Sequence, residues 1–220
     1  IRGISYDSRK TGEGHLFVCI DGLTTDGHDF AYEALRSGAA AYIAQRDLQL
    51  PEGCPVIRTS DNRIALAHIS DRFYGHPSSR LNLIGITGTK GKTTTSFMVK
   101  SILEAAGRKV GIIGTLGARI GERVMHSERT TPESLELQEL LSLMADEGVD
   151  DVVMEVSSQG LALHRVDSCE FDIGVFTNLS RDHIGEKEHA SLEDYLKSKC
   201  LLFKMCKSGL VNLDSQYAKA

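Results

Sequence analysis

Apolar and polar positions alternate in two registers along this chain, and from residue 82 onward the two registers themselves alternate. Short apolar runs at 82–86, 109–113, 151–156, 171–177 and 210–213 read as strands. Between them, apolar residues recur at helical spacing over 92–106, 133–147 and 191–206, and Gly107 and Gly148 close the first two. Before residue 75 the same grammar is smaller: HLFVCI, AAYIA and PVIRT read as strands, FAYEALRSG and IALAHISDRFY as helices. The segment YGHPSSRL at 74–81 supplies a glycine, a proline and two serines, and reads as the linker. The expected fold class is therefore α/β. A small N-terminal α/β domain, 1–76, precedes a mainly parallel-sheet domain, 77–220, covered by helices on both faces.

The most informative run is LIGITGTKGKTTT at 83–95, where an apolar strand enters a loop with Gly88 and Gly91 and leaves through Lys92 and a helix. Glycines let the backbone close around a polyphosphate, so that amide groups and the positive end of the next helix face it. Gly88, Thr89, Lys90, Gly91, Lys92, Thr93 and Thr94 are the expected nucleoside-triphosphate-binding residues, with Lys92 on the β/γ oxygens and Thr93 on Mg²⁺. The strict GxxxxGK[ST] pattern fails, because Ile86 stands where its first glycine belongs. What fits is TGTxGKT[ST]. Ligands of such sheets collect at the carboxyl ends of strands, where Glu155 and the segment TNLSRDH also fall.

Composition narrows the classes. The 220 residues are 41% hydrophobic and 25% charged, an ordinary globular balance, and the net charge of −5 argues against a nucleic-acid surface. No run approaches a membrane span and no leader pattern opens the chain, so a cytoplasmic location is expected. The five cysteines, Cys19, Cys54, Cys169, Cys200 and Cys206, lack CxxC spacing and are expected to be reduced packing residues. Ile1 at the start and SGLVNLDSQYAKA at the end give the reading of a fragment.

Four further segments stand beside the loop: DSR at 7–9, TTP at 130–132, MEVSSQGL at 154–161 and NLSRDH at 178–183. Together with TGTKGKTTT they resemble the Mur ligases, in the family's order, and more narrowly the MurE type. That resemblance implies a ligase that adds a free amino acid, L-lysine or meso-diaminopimelate, to UDP-N-acetylmuramoyl-L-Ala-D-Glu through an acyl phosphate. It implies ATP and two Mg²⁺ sites, with Lys92, Glu155, His183 and Lys199 as catalytic residues and Thr93, Glu155 and His183 as metal ligands. The residue matching Lys199 is carbamylated in the family; composition alone leaves Lys197 equally eligible, and the family match, with CLLF following, favours Lys199.

The resemblance also implies substrate contacts. Tyr6, Ser8, Leu23, Thr24 and Thr25 fall to the uridine diphosphate end, and Thr130, Thr131, Ser157 and Arg165 to the muramoyl-dipeptide end. Gln159, Leu163 and Arg129 depart from residues common in the family, and the span from His183 to Lys199 is somewhat longer. A monomer is expected. The family's third domain has no counterpart here, so this fragment alone is expected to bind nucleotide without turning over. The alternatives are a related ATP-dependent ligase, such as folylpolyglutamate synthase or cyanophycin synthetase, and a module that only binds nucleotide.

Overall fold

The computed structural model describes residues 1–22, 25–180, 185, 189–215 and 217. The chain divides into two compact units, Ile1–Ser70 and Asp71–Ala220.

The first unit is built on a four-stranded parallel sheet in the order β1 (Gly3–Ser5), β2 (His15–Val18), β3 (Ala41–Ala44), β4 (Val56–Arg58). Helices α1 (Ala31–Arg36) and α2 (Asn62–Phe73) accompany it, and the division falls inside α2, upstream of the 74–81 segment read as linker. Phe17, Cys19, Ala31, Ala34 and Tyr42 form its core. Strand β1 went unread, since three residues carry too little alternation to register. The supposed linker is ordered: Gly75 and His76 turn with positive φ, and a 3-10 turn, Pro77–Arg80, follows with Ser78 buried.

The second unit holds a seven-stranded sheet. Its strands are β5 (Asn82–Thr87), β6 (Val110–Gly114), β7 (Gly117–Ile120), β8 (Arg123–Met125), β9 (Asp151–Glu155), β10 (Phe171–Phe176) and β11 (Cys206–Val211). They lie in the order β11-β10-β5-β9-β6-β7-β8. From β11 to β6 every pairing is parallel; β7 and β8 are antiparallel. The helices are α3 (Lys92–Ala105), α4 (Ser134–Asp146), the short α5 (Ser158–Ala162) and α6 (Leu192–Cys200).

Strand alternation sorts the core into two layers. Leu83, Val152 and Met154 turn to one face, against Leu137, Leu141 and Met144 of α4. Ile84, Ile86 and Val153 turn to the other, against Val99 and Leu103 of α3. A sheet buried on both sides requires near-continuous apolar strands, which is why 82–87 and 151–155 are legible as such.

Three elements differ from expectation. The β7–β8 hairpin was not anticipated; it turns over the two residues between Ile120 and Arg123, where Gly121 has φ +55°. The helix expected over 191–206 stops at Cys200 and tightens into a 3-10 turn, Leu201–Lys204, which carries Leu202 into the core. The last strand starts at Cys206 and not at 210, because its pairing with β10 begins with Phe171 opposite Cys206. Lys207, Ser208 and Gly209 are exposed on this edge, so the segment lacks the apolar pattern of a buried strand. Among the described residues no helix is long and apolar enough to cross a membrane.

Candidate active site

Strand β5 lies between β10 and β9, and the loop after it meets the ends of both. Gly88 has φ +144°, and a β-carbon there would overlap the Thr177 hydroxyl. Gly91 has open space around it but φ +84°, so at this position the backbone alone demands glycine. It is the N-cap of α3, whose first-turn amides have no partner within the helix itself.

The segment after β10 clamps the loop. The Thr89 amide donates to Asn178 O (2.9 Å) and the Lys90 amide to Asn178 Oδ1 (3.0 Å), while Asn178 Nδ2 and Thr177 Oγ1 both donate to Lys90 O at 2.9 Å. Two of the amides expected to face phosphate are therefore engaged with Asn178. The helix-end amides after Gly91 are the ones whose geometry suits an anion.

Two lysines converge on one carbonyl. Lys92 Nζ donates to Gly88 O (2.9 Å) and to Thr89 O (3.3 Å), and Lys199 Nζ donates to the same Gly88 O (3.0 Å). Lys199 is 1% exposed and its Nζ sits 4.2 Å above the Tyr195 ring. Lys197, by contrast, is exposed and paired with Glu193 one helical turn away. The helix thus separates the two candidates that composition could not: one faces solvent and the other faces the loop.

Glu155 closes β9 with a fixed carboxylate. It accepts from Thr93 Oγ1 (2.9 Å) and the Thr115 amide (3.1 Å) on Oε1, and from Thr115 Oγ1 (3.1 Å) on Oε2. The carboxylate lies against Gly114, where any β-carbon would displace it. Hydroxyl and carboxylate oxygens at one point are the hard donors that Mg²⁺ prefers, so Thr93 and Glu155 fit that ion. His183 lies outside the described residues, as do Leu23 and Thr24.

The family model described as Mur ligase middle domain matches residues 86–220, and that described as Mur ligase family, catalytic domain, matches residues 1–74. The chain belongs to the Mur ligase family. Over 219 residues it is 52% identical to the UDP-N-acetylmuramoyl-L-alanyl-D-glutamate--2,6-diaminopimelate ligase of Caldanaerobacter subterraneus, covering 99% of this chain and 45% of that protein. Identity to the Clostridium botulinum ligase of the same name is 49% over 222 residues, covering 100% of this chain and 46% of that one. A solved structure of a ligase so named aligns with TM-score 0.83 at 30% identity, over 98% of this chain and 44% of the other. This Mur ligase chain thus spans a little under half the length of the relatives it matches.

The remaining expected contacts of the Mur ligase chain sort by what holds them. Thr131 is fully buried, its hydroxyl donating to Glu155 O (3.0 Å) and accepting from the Ser157 amide (2.9 Å). Ser157 caps α5 through the Gly160 amide (3.0 Å), and Thr130 Oγ1 pairs with Thr115 Oγ1 (3.0 Å). Arg165 is 7% exposed and bonded to Glu133 (3.2 Å) and Thr131 O (3.3 Å). Thr131 and Arg165 therefore brace the segment as well as any ligand. Thr94 and Lys90 are exposed.

In the first unit, Thr25 lines a surface hollow of about 650 Å³ together with Asp21, Gly22, Asp26, Asp29 and Phe30; Tyr6 and Ser8 are not among its described lining. Ser8 is buried inside a turn that Asp7 closes by pairing with Arg9 (2.7 Å). Asp21, Asp26 and His28 lie close enough to hold a metal. Both His28 ring nitrogens are engaged, however: Nδ1 with Asp26 (2.6 Å), and Nε2 accepting from the Gln45 amide (3.1 Å). The cysteines are all free, and burial pushes Cys19 up to about 12 and raises Cys169 and Cys200, as packing thiols require.

Sequence reasoning passed over Thr115, Thr177, Asn178 and Tyr195. Asn178 had a signal, since it opens the NLSRDH motif. Thr115 had none: its place beside Glu155 depends on the parallel pairing of β6 with β9.

Proposed function

We propose that the full-length protein is an ATP-dependent amide ligase of peptidoglycan precursor synthesis. It joins a free diamino acid to UDP-N-acetylmuramoyl-L-alanyl-D-glutamate through an acyl phosphate. The names of the relatives favour 2,6-diaminopimelate over lysine as that amino acid. The observation that carries the reading is the convergence on Gly88 O of Lys92 and the buried Lys199, on the loop that starts the helix bearing Thr93, which is bonded to Glu155. A nucleotide-binding module has no use for a second buried lysine and a fixed carboxylate there.

In this reading Lys92 leaves the loop carbonyls for the β/γ-phosphate oxygens, and the α3 amides take the remaining phosphate charge. Thr93 and Glu155, with His183, would hold two Mg²⁺ ions, whose chemistry there would be to offset the charge of the triphosphate and the substrate carboxylate. Lys199 acts as a carbamate. Two ammonium groups on one carbonyl oxygen lie within about 6 Å of each other and repel; a carbamate converts that repulsion into attraction and leaves Lys92 for the phosphates. Tyr6, Ser8, Leu23, Thr24 and Thr25 serve the uridine diphosphate end of the substrate, and Thr130, Thr131, Ser157 and Arg165 its peptide end. The enzyme works as a cytoplasmic monomer.

The test is phosphate release by the full-length protein. Turnover of ATP is expected only when the UDP-muramoyl-dipeptide and a diamino acid are both present. Equal release without the UDP substrate would count against the ligase, and turnover with a folate or a polypeptide acceptor instead would favour the related synthetases.

A further inference from the structure

Thr87, the last residue of β5, is fully buried, and among the described residues its hydroxyl oxygen has no hydrogen-bond partner. Its backbone is engaged, since Thr87 O accepts from the Thr177 amide (3.0 Å). A buried hydroxyl without a partner is costly, and native structures keep few of them.

The strand shows which way this hydroxyl faces. Alternation puts Thr87 on the same side of the sheet as Leu83 and Gly85. A β-carbon on Gly85 would meet the Phe171 ring and, at 3.0 Å, Leu202 Cδ1, so the turn that ends α6 covers this face. Lys199 lies three residues before Leu202, one turn nearer the carboxyl ends of the strands. Its Nζ reaches Gly88 O, on the residue after Thr87. Thr87 and Lys199 are thus both buried beside Gly88, on the face of the sheet that the end of α6 covers. A threonine hydroxyl can donate as well as accept, and among the described residues it does neither here, so an acceptor group brought in on Lys199 would give it a partner.

We infer that the Thr87 hydroxyl is a built-in hydrogen-bond donor to a carbamate on Lys199, and that it retains the modification. The inference rests on the carbamate reading proposed above. In the step itself the neutral amine of Lys199 adds to the carbon of carbon dioxide. A nitrogen–carbon bond forms, one carbon–oxygen π pair moves onto oxygen, and the amine proton leaves to water; nothing is oxidised or reduced. The resulting anion supplies acceptor oxygens beside Thr87 and faces the Lys92 ammonium across Gly88. Thr87 is a positioning residue here, acting through Lys199 and touching neither nucleotide nor peptide.

The experiment is carbon-13 NMR of the full-length protein titrated with carbon-13 bicarbonate. Wild type is expected to show a carbamate resonance that Lys199→Ala abolishes. Thr87→Val and Thr87→Ala are expected to need roughly tenfold more bicarbonate for half occupancy, while Thr87→Ser, which keeps the hydroxyl, stays within about twofold of wild type. Val and Ala variants that titrate like wild type would overturn the inference. Absence of any Lys199-dependent resonance in wild type would overturn the carbamate reading itself, and the inference with it. Thermal unfolding confirms that each variant is folded, and Thr87→Ala decides the matter alone if the valine methyl is not accommodated.

Discussion

Lys199→Ala in the full-length protein is expected to lower kcat by roughly a hundredfold or more, while changing ATP affinity by no more than about threefold. The split follows from position. Lys199 meets the loop at Gly88 O from the α6 side, whereas the α3 amides and Lys92, proposed above to take the phosphates, do not depend on it for their place in the loop and helix. On the carbamate proposal, the variant would lose the negative charge that Lys199 brings beside the proposed metal ligands. Lys197→Ala is the internal control: that side chain is exposed and paired with Glu193 on its own helix, so turnover within a factor of about two is expected. Steady-state kinetics beside equilibrium nucleotide binding reads both numbers. Unchanged kcat in Lys199→Ala would sink the carbamate, and an equal loss in Lys197→Ala would mean that α6 contributes only bulk charge.

The second large effect falls on stability. Arg165→Met is expected to lower the unfolding free energy by about 3–5 kcal/mol, because it takes the buried guanidinium away from the buried Glu133 carboxylate. The two side chains are 8% and 4% exposed and 3.2 Å apart. Glu133 caps α4 without a side-chain hydrogen bond of its own to the helix, so the pair ties the start of α4 to the turn after α5. Adding Glu133→Gln to Arg165→Met is expected to recover much of the loss, since the buried charge is then gone. Urea unfolding of wild type and the two variants checks this, and KM for the UDP substrate separates the two roles. A variant with raised KM and unchanged stability would make Arg165 a substrate contact alone; reduced stability with unchanged KM would make it a brace alone.

Much of the second unit is written locally. Strand β5, the glycine loop and α3 are legible because an apolar run, two glycines with positive φ and an amphipathic helix follow one another without interruption. Lys92 and Thr93 could be named from that run because the loop itself determines where they point. Glu155 was visible as a carboxylate ending an apolar strand, yet its neighbours were not. Thr115 and Thr93 reach it through strand order and register, which no short window contains.

The lysine choice shows the same limit. Lys197 and Lys199 are two residues apart in one helix and look alike in composition; rotation about the helix axis exposes one and buries the other. Edge elements were read least well. The β7–β8 hairpin and the start of β11 are half polar, since an edge strand need not be apolar on both faces. In the first unit, Ser8 was taken for a ligand contact from its motif, and the structure shows that motif also closing a turn through the Asp7–Arg9 pair.

The claim on which all of this depends is that the crevice around Gly88 activates a carboxylate at the expense of ATP. It is tested most directly by supplying the full-length enzyme with UDP-muramoyl-dipeptide whose reacting carboxylate carries oxygen-18. If that carboxylate attacks the γ-phosphate and the amine then expels phosphate, one labelled oxygen must leave on inorganic phosphate for each amide formed. Amide product accompanied by unlabelled phosphate would contradict the account.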